Sequence, residues 1–194
     1  MKQKRLVLWF AMAAVGSAMA GPPLSLAARA DGNVLQQSQE SFASVRETKP
    51  FTYCSIAHKG PLADMSAVIG HLMQAMQSQG LFASVRGPMI GVYYNTPGQV
   101  KPEELSWEVG FEVSEQASAQ APLEKKTWNY VTVAAAVHTG PYAKVGETIQ
   151  RLMDWIKAQG FTTSGPVFER YLNNPMQVKP EELRTEIWIP AKKK

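Results

Sequence analysis

Apolar residues along the chain recur with two different periods, and the order of those periods is the same twice. From Phe51 to His58 the run FTYCSIAH is short, β-branched and aromatic, which predicts a strand. A Gly-Pro turn follows. Leu62, Met65, Ile69, Met73 and Met76 then recur at spacings of three and four, the pattern of a one-faced helix. Gly80 stands where a left-handed cap ends such a helix. MIGVYY and LSWEVGFEV predict two further strands. The second half repeats the plan with WNYVTVAAAVH at residues 128–138, a turn, Tyr142, Val145, Ile149, Leu152 and Ile156 on one helix face, Gly160, and the strands VFERYL and RTEIWIP. Strand, helix, strand, strand, twice over, implies an α+β fold. Its antiparallel sheet carries two helices packed on one face, with a cleft between the halves. The Met-rich stripe of the first helix reads as helical core.

The periodicity has a literal counterpart in the letters. NTPGQVKPEEL at residues 95–105 and NNPMQVKPEEL at residues 173–183 share nine of eleven positions. His58 and His138 align at a shift of 80, as do QSQGLF and KAQGFT; from Gly87 and Gly165 onward the shift is 78. A single two-residue deletion therefore relates the halves. With only two units this is a paired domain and not an open solenoid. Repeat 1 spans residues 51–113, repeat 2 residues 128–190, and the polar stretch 114–127 is expected to link them, with 191–194 as a basic tail. KPEEL suits the first turn of a short helix, because proline there gives up only an unneeded donor and the carboxylates face the positive end of the dipole. In both copies it leads into a terminal strand. It is expected to set strand register, with Glu103, Glu104, Glu181 and Glu182 solvated.

Charge and composition narrow the setting. Lys2, Lys4 and Arg5 precede the apolar LVLWFAMAAVGSAMA, the pattern of a secretory leader over residues 1–30, with cleavage after Ala20 or Ala30. Those three residues belong to 20 basic ones, so beyond residue 20 seventeen stand against 16 acidic and the net charge of +4 almost vanishes. No sizeable positive footprint for nucleic acid remains. A periplasmic or secreted protein is expected, with no stable membrane anchor once the leader is removed. The polar, Gln- and Ser-rich residues 31–50 read as a flexible lead-in. The single Cys54 has no intrachain partner and reads as a small buried hydrophobe.

Strand alternation divides the terminal strand of each repeat into two faces. Leu105, Trp107, Val109, Phe111 and Val113 fall on one face and Ser106, Glu108, Gly110 and Glu112 on the other; Leu183, Thr185, Ile187 and Ile189 oppose Arg184, Glu186 and Trp188. The apolar face is expected to lie beneath the helices. Glu108 and Glu186 align across the repeat, and a pseudo-twofold is expected to bring them to facing sides of the cleft.

HTGPYAKV before the second helix, FERYLNNP on the strand after it, TEIWIP at the end and WEVGFEV as its counterpart together resemble the GyrI-like small-molecule binding domain, the effector-binding domain of BmrR and AraC-type regulators. The resemblance covers about residues 51–190. It implies a cavity lined by aromatic side chains with a carboxylate at the position matching Glu186. On that basis Glu186 is the expected charge partner, Trp188, Tyr171 and Tyr93 are expected walls, and Glu108 completes the ligand-binding set. Aromatic walls with one acid favour flat lipophilic cations. The helix-turn-helix domain of the family's regulators has no counterpart in the pattern here, so neither a transcription factor nor a gyrase inhibitor is implied.

Three function classes follow. A small-molecule binding protein needs the fewest assumptions. A hydrolase of a reactive electrophile would use Glu108 and Glu186 as paired catalytic carboxylates, and an envelope protein-interaction module would use the groove or a sheet edge. No cofactor is implied. His58 and His138 are one per repeat with no third ligand nearby, which suits strand-end or capping roles better than a metal. Neither a nucleophile elbow nor a phosphate loop is present.

Overall fold

In the computed structural model, which describes residues 42–194, the alternating runs pair into one antiparallel sheet. The leader and both cleavage points lie outside the described residues. The strands are β1 (Ala43–Glu47), β2 (Phe51–Lys59), β3 (Val85–Tyr93), β4 (Ser106–Val113), β5 (Glu124–Trp128), β6 (Thr132–Thr139), β7 (Phe161–Thr163), β8 (Val167–Tyr171) and β9 (Arg184–Lys193). Their order is β1-β6-β9-β8-β3-β4-β2-β5, with β7 pairing β9. Helices α1 (Met65–Ser78) and α2 (Val145–Ala158) lie on one face, α1 over β2 and β4 and α2 over β6 and β9. Gly80 and Gly160 adopt φ of 67° and 78° just past the helix ends, the left-handed conformation their positions predict.

The halves meet at β3 and β8, which pair with Gly91 opposite Glu169. These two positions are 78 residues apart, so the pseudo-twofold passes between them. Beneath α1, Leu72, Met76, Trp107 and Val109 form one core; beneath α2, Leu152, Ile156, Ile187 and Ile189 form its counterpart. The faces of β4 and β9 are therefore the expected ones. His58 reaches Asp64 at 2.9 Å, and His138 reaches Thr148 at 2.8 Å and the Pro141 carbonyl at 3.2 Å. Each histidine fastens the end of a strand to the start of the helix that follows.

The opposite face is also buried, for a topological reason. Residues 48–50 join β1 to β2 and residues 129–131 join β5 to β6, yet each pair is six positions apart in the sheet. A flat sheet would separate them by ~29 Å, whereas a three-residue link spans at most ~14 Å. The sheet must curl away from the helices. The Thr48 amide donates to the Val131 carbonyl at 2.7 Å and its hydroxyl to the Tyr130 carbonyl at 2.7 Å, tying the two links together. Inside the curl Phe51, Tyr53, Trp128, Phe168 and Trp188 pack as an aromatic core; Phe168 stacks on Trp188 at 5.5 Å and meets Trp128 at 4.5 Å.

This arrangement changes four sequence expectations. Part of the lead-in at 31–50 is strand β1, and part of the linker at 114–127 is strand β5. Both are outer strands with mostly exposed side chains, so their composition resembles that of a polar coil. The single strand expected at 128–138 is divided, because the chain crosses the mouth of the curl at 129–131. The tail at 191–194 is not free, since Ala191, Lys192 and Lys193 pair with β7. Strand β7 has no mate in the first half, where a 3-10 turn at Leu81–Ser84 takes its place. The two-residue shift between the repeats falls at this difference.

Candidate ligand-binding cavity

Each helix covers the outer strands of its own half, which leaves the helix-side face of the central pair β3 and β8 open. A cavity of about 870 Å³ occupies that gap. Alternation points Met89 and Tyr93 of β3 and Val167, Glu169 and Tyr171 of β8 into it. Met65, Ile69 and Met73 of α1 face Val145, Gly146 and Ile149 of α2 across it. The Met-rich stripe is thus divided. Met76 is buried core, whereas Leu62, Met65, Ile69 and Met73 line the cavity.

The twice-written phrase frames the mouth. Asn95, Thr96 and Pro97 stand on one side and Asn173, Asn174 and Pro175 on the other. Asn95 accepts from the Ser106 amide at 2.9 Å, and Asn173 accepts from the Arg184 amide at 2.9 Å while donating to the Glu182 carbonyl at 2.8 Å. KPEE forms one 3-10 turn in each copy, and the Lys101 and Lys179 amides donate to Glu104 and Glu182 at 3.4 and 3.0 Å. The repeat thus anchors two matching mouth loops to the strands that follow. Asn173→Ala is expected to lower stability by about 1 kcal/mol, read as a small fall in melting temperature, because it leaves the Arg184 amide and Glu182 carbonyl to water.

Among the described residues that line the cavity, Glu169 alone carries a formal charge. The hydroxyls of Tyr93 and Tyr171 act on its side chain from close by, and they meet each other at 2.8 Å. Burial disfavours the carboxylate and raises its pKa to about 7, against the downward pull of the two hydroxyls. Burial and the neighbouring Glu169 hold both tyrosines well above their ordinary value, so they remain protonated.

The other expected site residues lie elsewhere. Tyr93 and Tyr171 are on the cavity wall, but Glu108, Glu186 and Trp188 are on the curled face, behind the sheet. Glu186 is held by Arg46 at 3.0 Å and by Arg170 at 3.0 Å. Trp188 belongs to the aromatic core, with Arg170 over its ring at 5.1 Å. Glu108 is fully buried and accepts from Tyr53 at 2.9 Å, Tyr94 at 2.7 Å, Ser55 at 2.8 Å and Lys126 at 2.6 Å. Burial alone would raise its pKa, but the Lys126 ammonium and the hydroxyl donors lower it overall. Glu108 and Glu186 sit on β4 and β9 with β3 and β8 between them, Glu108 in register with Val92 and Glu186 with Arg170. Neither lines the cavity, and each is engaged by its own basic partners.

Alternation places both glutamates on the face away from the helices, where the structure has them, whereas the cavity lies on the helix side. Glu169 was missed although VFERYL carries a signal for it. Val167, Glu169 and Tyr171 share one face, and a carboxylate among inward-facing residues of a central strand marks a site more sharply than one among polar neighbours.

The model of the family described as GyrI-like small molecule binding domain matches residues 43–192. No curated protein sequence matches the chain. Among solved structures, the EcmrR C-terminal domain has a TM-score of 0.69 at 19% identity, covering 78% of this chain and 98% of its own. A hydrolase encoded by lin2189 from Listeria innocua has a TM-score of 0.61 at 10% identity, covering 77% and 91%. SAV2435 bound to tetraphenylphosphonium has a TM-score of 0.53 at 16% identity, covering 77% and 93%. At these identities the likeness is one of fold.

Proposed function

The chain belongs to the GyrI-like small molecule binding domain family, and on that premise we propose that it captures an amphipathic, cationic small molecule in the cavity between its helices. The observation that carries this reading is a lone buried carboxylate, Glu169, in an otherwise uncharged cavity large enough for a drug-sized ligand. An aromatic cation places its charge beside Glu169 and the electron-rich faces of Tyr93, Tyr171 and Tyr142, and its apolar body against Met65, Met73, Met89 and Phe111. The cation held by SAV2435, a protein of like fold, is consistent with that chemistry. The leader pattern supports a periplasmic or secreted location, which cell fractionation of the intact protein tests.

Titration with tetraphenylphosphonium and with an uncharged molecule of similar shape tests the reading. The cation should raise the melting temperature and the uncharged analogue should do so far less; equal stabilisation by both would remove Glu169 from recognition. A hydrolase is the second reading. It is favoured by a buried carboxyl group on the cavity wall that holds its proton to about pH 7. That chemistry would rest on Glu169 and not on the separated Glu108 and Glu186. Turnover of an electrophile that vanished in Glu169→Gln would move this reading to first place.

A further inference from the structure

The pseudo-twofold relates Tyr93 to Tyr171 and Gly91 to Glu169, so one of the two related pairs is matched and the other is not. Gly91 has no unusual backbone conformation that would require glycine. What surrounds it does. A Cβ built on Gly91 would stand 2.8 Å from the Tyr171 hydroxyl oxygen, 2.9 Å from Tyr93 Cε2 and 3.0 Å from the Tyr93 hydroxyl oxygen. Atoms do not approach that closely without displacement.

We propose that Gly91 is the positioning residue of the cavity: its bare α-carbon is the floor on which the two tyrosine hydroxyls converge beside Glu169. The inference rests on the cavity's being the ligand site, and it adds the reason that site has one acid. Directly opposed positions on an antiparallel pair place their Cβ atoms ~4.5–5.5 Å apart. A carboxylate at both positions would repel its mate and force the two to share a proton. Glycine removes that second charge, and the space it leaves admits the hydroxyl pair. One repeat thus supplies the acid and the other the room for the groups that hold it.

The deciding measurement is the ionisation of Glu169 in the ligand-free protein, followed by its infrared carboxyl band against pH with Glu169→Gln as the blank. Gly91→Ala should move the midpoint upward by about one pH unit, because separated hydroxyls no longer stabilise the carboxylate. Tyr171→Phe should shift it in the same direction, and the two changes together should shift it by less than their sum. An unchanged midpoint in Gly91→Ala, or additive shifts, would overturn the proposal. Should Gly91→Ala fail to fold, alanine is introduced beside Tyr93→Val and Tyr171→Phe, which remove all three crowding atoms. There it should be neutral toward melting temperature, and destabilisation in that background counts against the proposal.

Tetraphenylphosphonium titration separates this idea from the functional reading. No binding by any variant, with the coupled shifts intact, removes the cation reading and leaves Gly91 in its role. Binding that is lost in Glu169→Gln but untouched in Gly91→Ala overturns the role of Gly91 alone.

Discussion

Glu169→Gln is expected to weaken binding of tetraphenylphosphonium ten- to a hundredfold, or about 1.4–3 kcal/mol, while making the ligand-free protein more stable at pH 8. The loss follows from removing the one charge that faces the ligand in a low-dielectric cavity. The gain follows from proton linkage. Folding raises the Glu169 pKa from an ordinary value of 4.5 to about 7. Its contribution to stability is therefore fully present below pH 4.5 and disappears as pH rises through 7, at a cost on the order of 3 kcal/mol by pH 8. Glutamine is neutral throughout and escapes that cost. Urea unfolding at pH 5 and pH 8 should show the variant gaining on the wild type at the higher pH alone.

The same linkage sets the pH profile of binding. A permanently charged cation prefers the ionised carboxyl, so affinity should be greatest above pH 7 and fall by up to about tenfold per unit below it. Near pH 7 binding should expel about half a proton, visible calorimetrically as a dependence of heat on the buffer. A flat profile between pH 5 and 8 would mean that the ligand does not sense Glu169.

The second large effect lies behind the sheet and concerns stability alone. Glu108→Ala is expected to destabilise the protein by about 3 kcal/mol, because it leaves three hydroxyl donors without their acceptor and the Lys126 ammonium with Glu124 alone at 3.0 Å. Glu108 is fully buried, whereas Lys126 is partly exposed, so water offsets some of that loss on the lysine side. Because folding lowers the Glu108 pKa, its contribution is present above the ordinary carboxylate value and is lost as pH falls through the folded one. Cation affinity measured well below the melting temperature should remain close to that of wild type. A variant that folds normally but cannot bind would place Glu108 in the ligand site after all.

The opposite roles of Glu169 and Glu108 show where sequence reasoning stops. Both are carboxylates on strands near the centre of the sheet, and both are buried. One is satisfied by a lysine and three hydroxyls and fastens β4 to its neighbours on the curled face; the other lines a cavity beside two hydroxyls with no basic partner among the described lining residues.

The strand-helix-strand-strand core of each half, the helix faces, the glycine caps and the inward face of β4 and β9 were legible in the sequence, whereas the outer strands β1, β5 and β7 were not. These are local properties, set by the 3.6-residue and two-residue periods and by turn chemistry. Tyr93 and Tyr171 were legible as an aligned pair. What only the tertiary structure decided was which face holds the cavity. Two three-residue links force the sheet to curl, and the curl fills the face of Glu108, Glu186 and Trp188 with aromatic side chains. The helices, each seated on its own half, leave the other face open above β3 and β8. A short link between strands six positions apart is a long-range constraint. No window of residues around Glu186 or Glu169 contains it, and so the periodicity could say which carboxylates share a face but not which face holds the cavity.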